Sequence, residues 1–205
     1  AGRDGQTALV YGVFDDVDIR SEQRFDSLTT EFTQFTLDGS HDFGNGLKLT
    51  ALAGMAESEH DNPKQTTLLF DALDIDGYVY DFRKDDRLPL ISSGALDATA
   101  PASWRLTQIR LRPQTADNTY DMANLEFEYD AYEGLSFSFG WQYKEYEFAT
   151  TEARRASETL VPNLPVGTSL ADLTTLISLN GTSAGGYLDQ VWLIPDIDAF
   201  DDLFG

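Results

Sequence analysis

Residues 120–148 read YDMANLEFEYDAYEGLSFSFGWQYKEYEF, two arms that alternate with period two on either side of a short turn. Ala123, Leu125, Phe127, Tyr129 and Ala131 share one face of the first arm, with Asn124, Glu126, Glu128 and Asp130 on the other. Tyr132-Glu133-Gly134 turns the chain. Leu135, Phe137, Phe139, Trp141 and Tyr143 then alternate with Ser136, Ser138, Gly140, Gln142 and Lys144. Period two is the signature of a β-strand. Each arm has about the ~10 residues that carry a tilted strand across a bilayer, whereas strands of soluble sandwiches usually run about 5–6.

The pattern recurs upstream. Phe35, Leu37, Gly39, His41 and Phe43 alternate with Gln34, Thr36, Asp38, Ser40 and Asp42. Gly44-Asn45-Gly46 follows, and Gly and Asn accept the positive φ of a tight hairpin turn. Leu47, Leu49, Ala51, Ala53 and Met55 continue on one face, with Leu52 falling on the polar side. His41 lands on the apolar face and reads as a rim residue rather than a ligand.

Composition narrows the class. The 205 residues contain no Cys and carry a net charge of −21. Disulfides, thiol chemistry and Cys-based metal sites are thereby excluded. The acidic balance argues against nucleic acid, whose phosphates require Lys and Arg. No run of ~18 apolar residues marks a transmembrane helix, but a barrel strand would show none, since every second residue faces the lumen. The chain starts at Ala1-Gly2-Arg3 and stops at Leu203-Phe204-Gly205, and it reads as a piece of a longer or processed polypeptide.

The expected fold is all-β: antiparallel up-and-down strands, part of a transmembrane β-barrel with long extracellular loops, not closed within this chain. Strands are predicted at about 7–14, 28–43, 46–60, 120–131 and 134–149, with long loops at 61–118 and 150–205. Asp15 to Ser27 reads as a charged connection. Within the first loop, Gln65–Leu73 and Tyr78–Arg83 suggest a small hairpin split by Asp74-Ile75-Asp76-Gly77. Pro101 could open a helical turn or two through Trp104 and Ile109. In the second loop, Leu170, Leu173 and Ile177 have helical spacing behind Ser169 as N-cap. Short turns at one end and loops of more than 50 residues at the other are foreign to compact soluble domains and ordinary in outer-membrane barrels.

Several segments resemble TonB-dependent outer-membrane receptors. They include Phe14-Asp15-Asp16-Val17-Asp18-Ile19-Arg20-Ser21-Glu22, Leu28 to Gln34 and Asn62-Pro63-Lys64-Gln65-Thr66-Thr67-Leu68. Asp76-Gly77-Tyr78-Val79-Tyr80-Asp81-Phe82-Arg83, Ala102-Ser103-Trp104, Ile109 to Asn118, Arg154 to Glu158 and Ile194-Pro195-Asp196-Ile197-Asp198 are similar as well. The resemblance spans nearly the whole chain, in order, and identifies no substrate. It implies a 22-stranded barrel filled by an N-terminal plug and energised from the inner membrane through a TonB box. Plug and TonB box are both missing from these residues, so the expected partners are outer-membrane lipid, an extracellular ligand and, through the missing plug, the TonB system.

Seven of the fourteen basic residues fall in the 61–118 loop: Lys64, Arg83, Lys84, Arg87, Arg105, Arg110 and Arg112. With Arg154 and Arg155 they could line a vestibule, since Arg binds carboxylate and phosphate in bidentate fashion. The candidate ligand residues are Trp104, Arg105, Arg110, Arg112 and Arg83. The simpler account is that these cations neutralise the loop's nine acids. Asp196, Asp198, Asp201 and Asp202, and likewise Asp74, Asp76 and Asp81, do not follow the EF-hand spacing, and solvated acidic loops are their default reading. Tyr129, Trp141, Tyr143, Tyr146 and Phe148 read either as girdles at the membrane boundary or as a carbohydrate platform. Tyr146 and Phe148 fall out of phase with Trp141 and Tyr143, which a bulge near Lys144-Glu145 or exit from the membrane would explain.

Neither a nucleophile elbow nor a His-Glu-x-x-His motif occurs, and Gly181 to Gly186 lacks the Lys of a phosphate loop. No enzyme activity, metal or cofactor is expected. The second functional reading is a soluble, secreted, β-rich carbohydrate-binding module. The third is a glycosidase-like enzyme using two carboxylates.

Overall fold

A computed structural model describes residues 9–85, 87–179 and 191–204. The described residues are predominantly β, in antiparallel sheets, none of them closed. The strands are β1 (Tyr11–Phe14), β2 (Val17–Asp42), β3 (Leu47–Ile75), β4 (Tyr78–Asp81), β5 (Leu90–Ser92), β6 (Arg105–Leu111), β7 (Gln114–Tyr132), β8 (Leu135–Glu152), β9 (Thr174–Ser178) and β10 (Val191–Pro195). One helix, α1 (Ile197–Phe204), follows β10. The chain divides into two compact units. One comprises residues 26–64 and 112–153. The other comprises 1–25, 65–111 and 154–205.

In the first unit the strand order is β2-β3-β7-β8. Leu47 lies opposite Tyr129, Leu49 opposite Phe127, Ala51 opposite Leu125 and Ala53 opposite Ala123. On the next ladder Tyr129 meets Phe137, Phe127 meets Phe139, Leu125 meets Trp141 and Ala123 meets Tyr143. Directly opposed residues share a face, so the alternation written into each strand adds up to one apolar face across three strands. The Phe127 and Phe139 rings stack on it, 5.0 Å apart. Both tight turns lie at one end: the Gly46 carbonyl accepts the Asp130 N–H at 2.8 Å. Gly46, at φ +83°, occupies a backbone region that L-residues rarely adopt. At the other end Asn62, Gln114 and Glu152 share a row, and the two long excursions leave from there.

The strands are longer than the sequence suggested. β2 begins at Val17, so Asp15 to Ser27 is largely strand rather than connection. Two of its acids are used at strand ends: Asp18 Oδ1 accepts the Asp74 N–H and Asp15 Oδ1 accepts the Gly77 N–H, while the Asp16 backbone N–H donates to Asp76 Oδ1. β3 runs on to Ile75, and β7 starts at Gln114, within the stretch expected to be loop. Of the predicted 7–14 strand, Tyr11–Phe14 is observed, while Thr7 and Ala8 lie outside the described residues. No bulge occurs at Lys144-Glu145, because the β7–β8 register is unbroken from Glu152 to Ser136. The phase of Tyr146 and Phe148 has another cause. At the row Met55–Asp121–Glu145 the formerly apolar face turns acidic, and at Ala56–Tyr120–Tyr146 the opposite face turns aromatic.

The second unit has an ordinary core. Residues 65–72 of β3 are buried on both faces, as expected for the non-alternating run Thr66-Thr67-Leu68-Leu69-Phe70. β6 pairs with this segment: Thr66 opposes Leu111, Leu68 opposes Ile109, and Phe70 opposes Leu106. Leu68, Phe70, Ala72, Trp104, Ile109, Leu173, Leu193, Ile197 and Phe200 make one cluster. The expected hairpin between Gln65–Leu73 and Tyr78–Arg83 does not form: β4 pairs instead with β1 and β5. The turns expected to be helical are single 3-10 turns, at Pro101–Ser103 and Leu170–Leu173, each running straight into a strand. The β-branched residues Thr174, Thr175 and Ile177 favour strand after the second turn. Ser169 does mark the second turn: its N–H and hydroxyl both donate to Asp172 Oδ2. Pro63 and Pro113, which lack an N–H, fall in the same interruption, between the Asn62–Gln114 pair of β7 and the Thr66–Leu111 pair of β6.

Candidate ligand-binding and membrane-facing surfaces

Four of the five predicted ligand residues, Arg83, Trp104, Arg105 and Arg110, lie in one unit. Trp104 is 7% exposed, packed in the core cluster, with its Nε1 donating to the Ala98 carbonyl at 3.2 Å. Arg105 opens β6, opposite Asp71, on whose carboxylate its charge acts. Arg110 donates through Nη2 to Gln108 Oε1 at 3.0 Å, with Nε 3.6 Å from Glu158. Arg112 belongs to the other unit. Arg83 grips Asp81 through Nε and Nη2, both at 2.8 Å, and lies over the Tyr11 ring at 3.8 Å. The Arg83 side chain and backbone N–H hold the Asp81 carboxyl down at about 2. Arg155, which joined the expected vestibule, donates to the carbonyls of Ile109 and Leu160. For Arg83, Arg110 and Arg155 the observed roles are internal: each fastens a loop or strand to its neighbour.

The ion pair that sequence reasoning missed is Arg20–Asp71. Arg20 Nε and Nη2 meet the two carboxylate oxygens at 2.7 and 3.1 Å. Thr107 Oγ1 donates to the same carboxylate at 2.7 Å. Thr107 can do so because the β3–β6 register shifts between Leu69 and Phe70, leaving it as the extra residue of a bulge. Arg20, ahead of desolvation, lowers the Asp71 pKa. The partners stand 51 residues apart, which is why no local motif signals them.

Some members of the two acidic sets have structural roles. Asp196 Oδ1 accepts the Ala199 N–H and caps α1. Asp74 and Asp76 belong to the strand-end contacts given above. Among the described residues no group of three or more potential ligands could hold a metal ion. Gly181 to Gly186 lies outside the described residues.

The apolar face of the four-stranded sheet is the other candidate surface. Phe137 and Phe139 are 54% and 62% exposed, and Phe35, Leu37 and Trp141 are exposed too. Where Gly39, Ala51, Ala53 and Ala123 supply no bulk, the face sinks into a groove of about 510 Å³. From Leu47 to Ala53 the band is about 20 Å tall at ~3.3 Å per residue. Past Met55 the same face carries Glu57, Glu59, Asp117, Asp121, Glu145 and Glu147. On the other face, over the height of the band, lie Lys48, Thr50, Glu126, Glu128, Ser138 and Gln142. No described helix is long and apolar enough to cross a membrane. No protein-family model matches the chain, and no curated protein is detectably similar to it.

Proposed function

We propose that the chain is a stretch of the wall of an outer-membrane β-barrel uptake receptor, of the TonB-dependent kind its sequence resembles, and that β2, β3, β7 and β8 cross the membrane. The single observation that carries this reading is the continuous apolar face, bounded by a row of acids. An exposed apolar surface larger than a few hundred Å² is rare on a soluble monomer. Lipid accounts for its height and for the polar face behind it. A membrane boundary accounts for the exchange of acidic and aromatic residues between the faces at one row. Tight turns at one end and long excursions at the other match the asymmetry of such barrels. The ligand belongs to the excursions and the polar face, because the apolar face cannot meet it.

The absence of Cys permits a direct test. Single cysteines at 136, 137, 138 and 139 carry nitroxide labels in chain reconstituted with phospholipid vesicles. Oxygen should relax the labels at 137 and 139 preferentially, and a water-soluble nickel chelate those at 136 and 138. Chain that does not float with the vesicles, or labels with uniform aqueous access, would refute the membrane assignment and favour the soluble carbohydrate-binding module.

A further inference from the structure

The unit built from residues 1–25, 65–111 and 154–205 contains a second, smaller cavity of about 300 Å³, walled by Trp104, Trp192, Tyr78, Ile91, Leu96 and Arg20. Three aromatic side chains border a space the size of one or two fused rings, and aromatic faces hold rings by offset or edge contacts. The walls are fixed in advance. The Ala98 carbonyl accepts both Trp104 Nε1 and the Leu193 N–H, at 3.2 and 2.9 Å, and Ser21 Oγ donates to the Leu193 carbonyl at 2.6 Å. β2, β10 and the segment before Trp104 are thereby tied around the cavity.

Charge decides the class of ligand. Arg20 is neutralised by Asp71, so the cavity offers an anion no net attraction, and a chain of net charge −21 repels anions at long range. No carboxylate is among the described residues that line the cavity, so a cation finds no counter-ion in its walls. The ion pair is made through Nε and Nη2, which leaves the Nη1 donors outside it for an acceptor on a ligand. We propose that this cavity binds an uncharged compound of one or two fused rings bearing a hydrogen-bond acceptor. The inference stands on the geometry of this unit alone and holds for a membrane or a soluble chain.

Coumarin, a neutral bicycle with a carbonyl acceptor, is the probe. The full chain is titrated by calorimetry, and tryptophan fluorescence is followed in parallel. A single saturable site is expected. Trp192→Ala should weaken it about tenfold or more, the equivalent of one lost ring contact with its buried area. Ile91→Trp should abolish it by filling the cavity. Trp141→Ala, in the other unit, should leave affinity unchanged. Three results would overturn the proposal: no saturable binding by folded wild-type chain, unchanged affinity in both cavity variants, or tighter binding of coumarin-3-carboxylate or phenyltrimethylammonium than of coumarin. Flotation with vesicles, measured on the same variants, reads the membrane assignment separately.

Discussion

Asp71 shows how a single side chain can be costly alone and useful in company. Its side chain is only 12% exposed, while that of its partner Arg20 is 43% exposed. Breaking a buried pair by removing one member strands a charge, but the solvent around Arg20 softens that penalty. Arg20→Met should therefore destabilise this unit by about 1–2 kcal/mol at neutral pH, measured by urea unfolding with Trp104 fluorescence. The folded pKa of Asp71 lies below its unfolded value, so the stabilisation is fully present above about pH 4 and is lost as pH falls through the folded pKa. The variant and the wild type should converge in acid. The same sign holds for Asp81, whose pairing with Arg83 should fail between about pH 4 and about 2. Turn glycines give a second contrast. Gly46 and Gly134 both have positive φ, but an added Cβ at Gly46 would lie 2.7 Å from the Asp130 carbonyl, whereas at Gly134 it would meet nothing. Gly134→Ala should cost about 1 kcal/mol and Gly46→Ala about 2–3, because the second adds a backbone clash to the conformational strain.

At the scale of elements, alternation was legible and termination was not. Hairpins 28–60 and 120–149 are visible in sequence because period two persists until the exposed face changes character. Their ends are hidden because nothing breaks at Met55, Asp121 or Glu145: the hydrogen-bond ladder continues while the residue types on each face change. Asp61-Asn62-Pro63-Lys64 looks like a loop, yet Pro63 costs little where the ladder is already interrupted. The turns at Pro101 and Leu170 stop after a single turn because long-range pairing with β3 and β10 overrides local spacing. Of the candidate ligand residues, the sequence located the arginines but could not show their partners. Arg155 bonds a carbonyl 46 residues away. Adjacent positions on β8 provide the element-scale test. Phe137→Arg should cost about 2–4 kcal/mol in lipid if it lies near mid-membrane, whereas Ser138→Arg, on the polar face, should cost little. Equal penalties in vesicle-reconstituted chain would mean that the two faces do not meet different solvents.

For the molecule as a whole, one chain carries two kinds of stabilisation. The unit around Leu68, Phe70 and Ile109 buries its own core and needs no second phase to cover it. The four-stranded sheet leaves Phe35, Leu37, Phe137, Phe139 and Trp141 exposed, and its ladders have no apolar layer packed against them within their own unit. A hydrophobic face at ~25 cal/mol per Å² gains nothing until something apolar covers it, so the stability of that sheet should depend on lipid. Amide hydrogen exchange separates the two. Residues 66–72 and 106–111 should remain protected with or without phospholipid. Residues 48–54, 123–129 and 137–143 should be protected when lipid is present and exchange faster by about 10²-fold or more when it is withdrawn, as expected for a loss of about 3 kcal/mol of local stability. Equal protection of both sets in plain buffer would show that the sheet is stable without a bilayer, and would move the apolar face from the membrane to a contact made in water.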